Sequence, residues 1–253
     1  MVVNYRGGEA TEFLQRSGRL VRFTMRRVRA LVVPSGFLQG VFSRSGILAD
    51  IVPNIIDLSR FHPRDALRVG GPHLLVARNL ERLYDNETAI RAFQIVRGVF
   101  PQARLTIAGS GPEEARLRQF VLKQGLSDVV RFAGRLERDA MAALYRSADL
   151  LLNPSLADNM PNSVLEAWSS GVPVVSTDVG GIPYLAQDGV TASLVPPRDP
   201  DAMARACVVL LSDDAVWRGR ARAGLNEAQR YTWSRVQPVL GDVYRRVMQL
   251  STH

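Results

Sequence analysis

From residue 72 onward, short apolar runs alternate with stretches whose apolar positions recur every three to four residues. HLLVA (73–77), ARLTIAG (103–109), VVRFAG (129–134), ADLLLNP (148–154), VPVVST (172–177) and ASLVP (192–196) read as strands. Between them, Glu87–Val99, Pro112–Gln124, Arg138–Ser147 and Pro161–Ser170 read as helices. Runs such as DLLLNP are apolar without alternation, as expected of a strand covered on both faces. Strand–helix repetition at this spacing predicts an α/β fold: a Rossmann-like parallel sheet with helices on both faces.

Ahead of residue 72 the pattern changes. RALVVPS (29–35) reads as a strand, GFLQGVFSRSG (36–46) as a helix and ADIVPN (49–54) as a second strand. IIDLSRFHPRDALRVGG mixes charge with Gly and Pro and reads as a linker. At the other end, WRGRARAGLNEAQRYTWSRVQPVLGDVYRRVMQL reads as helical with a break at Tyr231–Thr232.

No run reaches 18 uncharged apolar residues, so no transmembrane helix is expected. The first residues lack the apolar core of a signal peptide, which points to a cytoplasmic chain. The formal net charge is +8, and residues 1–60 hold nine Arg against four acids. RLVRFTMRRVRALVV (19–33) concentrates that excess, so peripheral contact with an anionic membrane face is one expectation and a solvated helix face the other. Phe23 is the one aromatic residue in that stretch, short of an aromatic–basic interleaving, which argues against nucleic acid as a partner. The lone Cys207, in an apolar helical setting, reads as packing.

In a doubly wound sheet, ligands bind beyond the carboxyl ends of the strands. Three loops fall there. GSGP (109–112) makes Gly109 and Gly111 candidates for close backbone approach to a ligand, with a plain tight turn as the bland alternative. LADNMPNSVLEA opens a helix near Pro161–Asn162, and the free amides of residues 160–164 form an anion site. The pair Gly180–Gly181 again allows close approach to a ligand. Asp158 precedes that helix and Glu166 stands one turn inside it. Two carboxylates flanking a row of amides suit a ligand that reads sugar, diphosphate, ribose. The same residues also fit a loop-capping Asp158 and a helix-surface Glu166, and this stretch alone leaves both readings open.

Several ordered segments then resemble one family. VVPSGFLQGVFSRSGILADIVPNIIDLSRF, LLVARNLERLYDNETAIRAF, ARLTIAGSGPEEARLRQFVLKQGLSDVVRFAGRLERDAMAALYRSADLLLNPS and NMPNSVLEAWSSGVPVVSTDVGG are together similar to the family 4 glycosyltransferases. Those are retaining enzymes of GT-B fold that use nucleotide-sugar donors. The resemblance implies that Arg78 contacts the donor diphosphate, Glu166 the ribose and Asp158 the transferred sugar. It places Gly134 and Arg135 beside the nucleobase and the backbone of Met160, Pro161, Asn162 and Ser163, with its amides, around the diphosphate. It implies a UDP- or GDP-sugar as substrate, no cofactor and no metal. The acceptor would be lipid-linked or a polysaccharide, in envelope or exopolysaccharide synthesis, at the inner membrane face.

Three departures matter. Asp158 is one methylene shorter than the usual Glu. The usual Lys after the Arg is absent, which makes Arg82 the candidate for that charge. Tyr184 replaces an acid that often follows GGIP. The expected organisation is residues 1–55 as a remnant of an acceptor domain, 56–71 as linker, 72–230 as the donor domain and 231–253 as a helix returning to the N-terminal part. Arg6 lies near the position of the family's acceptor-side His. His62 reads as linker surface, His73 as strand-edge packing and His253 as a disordered terminus. The rival to an active enzyme is a fragment that binds nucleotide or nucleotide-sugar without turnover. A dinucleotide-binding dehydrogenase is disfavoured, because VARNLE stands where GxGxxG would follow the first strand.

Overall fold

The computed structural model describes residues 1–7, 10–25, 28–64 and 70–249. Arg26 and Arg27 of the basic stretch, residues 65–69 of the expected linker and His253 lie outside the described residues. Strand β1 (Val2–Asn4), helix α1 (Ala10–Met25), β2 (Ala30–Val33), α2 (Gly36–Ser43) and β3 (Asp50–Ile51) form a small parallel sheet in the order β1-β2-β3 with its helices. β3 is short, since Pro53 cannot donate to a ladder.

The large sheet follows. It is built from β4 (His73–Ala77), α3 (Asn86–Val99), β5 (Arg104–Ala108), α4 (Glu114–Lys123), β6 (Val130–Gly134), α5 (Arg138–Ser147), β7 (Leu150–Asn153), α6 (Asn162–Ser169), β8 (Val174–Thr177), α7 (Ile182–Leu185), β9 (Ser193–Val195) and α8 (Pro200–Ser212). Helix α9 (Asp214–Ala228) and α10 (Trp233–Gln249) close the chain. The strands are all parallel, in the order β6-β5-β4-β7-β8-β9. The chain is thus α/β, with a parallel sheet covered by helices on both faces.

Alternation along β4 shows why both faces are covered. Leu74 and Val76 join Ile90, Phe93, Leu117 and Met203 in one core, while Leu75 joins Leu151, Tyr145, Leu165 and Trp168 in the other. Trp168 anchors α6, its indole N–H donating to Thr191 O at 3.0 Å. Helix α8 begins at Asp199, whose side chain caps the Ala202 amide at 2.8 Å ahead of Pro200 in the first turn. Cys207 on α8 is fully buried in the first core.

Helix α10 packs Val236, Val243 and Val247 against Ala30 and Val32 of the small sheet. At the same crossing, Ile56 N–H donates to Tyr231 O at 2.8 Å. His62 is exposed. His73, by contrast, is the first residue of the central strand and not an edge position. It is buried, with its ring nitrogens at 2.9 Å from Ser147 O and 2.8 Å from Thr106 Oγ1, and burial pushes its pKa down. Among the described residues, no helix is long and apolar enough to cross a membrane.

Candidate functional site

The strand order reverses between β4 and β7, so the crossovers leave these neighbours in opposite directions. The loops beyond their carboxyl ends diverge, and a crevice opens where that geometry demands one. It has a volume of about 460 Å³, and its walls include Arg78 and Tyr84 after β4, Asp158–Ser163 after β7, Glu166 on α6, and Gly109 and Arg135.

Arg78 is held on three sides. Its Nε donates to Asn153 Oδ1 at 2.8 Å, its guanidinium lies 4.8 Å from the Tyr84 ring centroid, and its Nη2 contacts the carboxylate of Asp158. Burial lowers the guanidinium pKa to about 10, opposed by Tyr84, Tyr145 and Glu166, so Arg78 stays charged at neutral pH. Asp158 uses its other oxygen to accept the Asn159 amide at 2.9 Å. Both side chains are nearly enclosed, at 12% and 10% exposure, which makes this an internal ion pair rather than a surface one.

Pro161 stands at the N-cap of α6 and supplies no side-chain cap; Val164 N–H donates to Pro161 O at 3.2 Å, while the amides of Asn162 and Ser163 meet no acceptor among the described residues. The positive end of the helix dipole therefore faces the crevice. Glu166 stands one turn further in. Burial raises its carboxyl pKa above the ordinary value, while a hydrogen bond from Tyr145 and the charges of Arg78 and Arg138 pull the other way. The Tyr145 hydroxyl also reaches Ser163 O at 3.2 Å, and burial together with Glu166 holds that phenol well above its usual pKa. Asp158 and Glu166 thus line one crevice on either side of the same helix start.

The loop that carries this helix start is fixed from the small sheet. Ser35 Oγ donates to Asn159 Oδ1, Asn54 Nδ2 donates to Met160 O at 2.8 Å, and Arg6 donates to Asn54 Oδ1. Arg6 and Asn54 both line the crevice. Gly180 (φ +54°) and Gly181 press against the backbone of Asp158 and Asn159, and Gly181 N–H donates to Asp158 O at 2.9 Å. The expectation that this glycine pair approaches a ligand is corrected. It approaches the loop, where any Cβ would overlap a carbonyl.

Nine expected residues line the crevice: Arg78, Asp158, Glu166, Gly109, Arg135, Met160, Pro161, Asn162 and Ser163. Three do not. Gly111 is packed against the Leu80 backbone, where a side chain would collide. Gly134 gives its carbonyl to the Gly109 amide at 2.8 Å and so supports the crevice from behind. Arg82 lies in a 3-10 turn (Arg82–Tyr84), 90% exposed, and turns to Glu113 at 3.4 Å. Gly109 itself has φ +147° and no room for a Cβ beside Arg78 O, so its role is backbone geometry. Tyr184 is exposed, its ring tilted at 56° to that of Phe37 on the small sheet's α2 with centroids 6.3 Å apart. Asn153, Tyr84, Tyr145, Ser35 and Asn54 were not expected. Asn153 alone carried a visible signal, as the one polar residue ending an apolar parallel strand at the switch point.

The family model described as "Glycosyl transferases group 1" matches residues 71–213. A D-inositol 3-phosphate glycosyltransferase of Paenarthrobacter aurescens (strain TC1) is 30% identical over 211 residues, covering 79% of this chain and 52% of that protein. A phosphatidyl-myo-inositol mannosyltransferase of Mycobacterium leprae (strain TN) is 33% identical over 181 residues, covering 71% and 48%. The chain spans about half the length of these curated relatives. Among solved structures, Anabaena HepE in complex with UDP and glucose superposes with a TM-score of 0.83 at 20% identity, covering 100% of this chain and 71% of that one.

Proposed function

The chain belongs to the group 1 glycosyltransferases, and from that premise we propose that the crevice beside Arg78 binds a nucleoside-diphosphate sugar, whose sugar the whole protein transfers. One observation carries the reading. A buried cation, an uncapped helix start and two carboxylates line a single crevice at the switch point of the sheet. In it, Glu166 accepts hydrogen bonds from the ribose hydroxyls. The first amides of α6 and the guanidinium of Arg78 hold the diphosphate and offset the charge that grows on it as the sugar departs. Asp158 exchanges its contact with Arg78 for the hydroxyls of the sugar, at shorter reach than a glutamate. For Asp158 the role is binding the sugar hydroxyls rather than attacking the anomeric carbon, and transfer with retention then runs by a front-face route on the leaving-group side.

The acceptor we propose is lipid-linked or a polysaccharide, in envelope or exopolysaccharide synthesis. Support comes from the mycobacterial relative, a phosphatidyl-myo-inositol mannosyltransferase. The basic N-terminal part would meet the membrane face. A second reading, nucleotide binding without turnover, is favoured by one observation: Arg78 is already engaged by Asp158. Calorimetry with UDP, GDP and their sugars, followed by a transfer assay with the tightest donor, separates the two. Saturable binding with transfer supports the first reading and binding alone the second. Failure of every nucleotide to bind a folded chain removes both.

A further inference from the structure

A second cleft, of about 500 Å³, lies at the opposite end of the large sheet. Ala148, just ahead of β7, and Val172, just ahead of β8, line it, so it opens at the strand starts where the first crevice opens at the strand ends. Helix α6 connects the two: its first residue lines one cleft and its C-cap, Ser170, lines the other.

The walls of this second cleft are of two kinds. Trp217, Leu225 and Val172 give it an apolar side. Against them stand, among the described residues, four arginines, Arg64, Arg146, Arg218 and Arg222, with Asp214 as the one lining carboxylate. Two of those cations are committed. Arg64 pairs with Asp149 at 2.9 Å beneath the Trp217 ring, and Arg146 donates to Arg60 O at 3.3 Å. Arg218 meets Asp214 at 3.4 Å with both side chains largely exposed, a pair that water and salt weaken and an incoming anion displaces readily. Arg222 makes no hydrogen bond or ion pair with a described residue.

The floor of the cleft is closed at Ser170, which is only 3% exposed. Nothing in the first crevice uses any of these groups.

We propose that this second cleft binds an organic anion with an apolar body: the body against Trp217, Leu225 and Val172, and the anionic head between Arg218 and Arg222. Head and body are both required, because neither the arginines nor the apolar wall alone encloses a ligand. The site is separate from the first crevice and stands whether or not that crevice binds a nucleotide sugar.

The probe is 8-anilinonaphthalene-1-sulfonate, titrated by fluorescence into the folded chain with UDP in excess. The sulfonate is compared with neutral 1-anilinonaphthalene and with inorganic phosphate as a competitor. The expected result is one saturable site that the R218E/R222E variant weakens at least tenfold. The Lys123→Glu variant, which changes net charge elsewhere, moves it less than twofold. Filling the cleft with Ala221→Phe is expected to abolish the same site, with circular dichroism confirming that each variant is folded. Equal affinity in R218E/R222E, equal binding of the neutral probe, or full competition by phosphate at matching concentration would each overturn the proposal.

Discussion

Glu166→Ala tests the first crevice where the structure constrains the answer most. Its carboxylate is the acceptor we propose for the ribose hydroxyls, and a hydrogen bond to a charged group contributes about 1.5–3 kcal/mol. At ~1.4 kcal/mol per decade, the dissociation constant for UDP or GDP should rise about 10- to 150-fold. The fold should survive, because the Tyr145 hydroxyl keeps Ser163 O as an acceptor at 3.2 Å. Stability should even favour the variant. Burial raises the Glu166 pKa, so the native state takes up its proton more readily than the unfolded chain. Stability from this group is therefore present at low pH and lost as pH rises from the unfolded value of 4.5 through the raised native one. At pH 7 the ionised carboxylate works against folding, and Glu166→Gln should melt no lower than the wild type. Binding has the opposite sign, since ribose needs the ionised form. Wild-type affinity should weaken as pH falls through that same raised pKa, and Glu166→Gln should lack this component. Isothermal calorimetry across pH reads the binding and thermal melts read the fold. A folded Glu166→Ala chain with wild-type affinity would refute the ribose role, and a marked loss of stability at pH 7 would refute the pKa argument.

Three further outcomes follow from the arginines and the thiol. Arg78→Ala leaves the Asp158 carboxylate enclosed without its cation and should destabilise the chain by about 3–5 kcal/mol in urea denaturation. Arg82→Ala, on an exposed pair, should change stability by under ~1 kcal/mol and leave nucleotide affinity unaltered. A large loss of affinity in Arg82→Ala would restore it as a diphosphate ligand. Cys207 is fully buried and burial holds its thiol well above the ordinary range, so a disulfide reagent at pH 8 should label it only after denaturant is added. Rapid native labelling would show that α8 opens.

The large sheet was legible because its central strands β4 and β7 are apolar on both faces and the strands are bounded by turn residues. All six expected strands are present within two residues at either end. β1 and α7 escaped because they hold three and four residues, too few for a period to emerge. Helix α8 could have been read from Asp199–Pro200, a cap followed by a first-turn proline. The crevice was legible where function depends on residue type near one helix start. It was not legible where function depends on partners far along the chain. Nothing in local spacing shows that Arg78 meets Asp158, that Ser35 and Asn54 tie down Asn159 and Met160, or that Arg82 is drawn away by Glu113. Those are consequences of which loops the strand order brings side by side. The double glycine shows the same limit: its lack of a side chain was evident, but the neighbour that needs the space is the chain's own carbonyl.

The chain passes between its small and large sheets twice, once near Ile56 and once near Tyr231, and the two passages are stitched together by a backbone hydrogen bond. Any rocking of one sheet against the other must pivot about that shared seam, like a door hung on a single pin. Ser35, Asn54 and Arg6 then act as the latch on the free edge. Swinging it open would pull first on the loop of Asn159 and Met160, so the mouth of α6 would feel the motion before any other part of the large sheet.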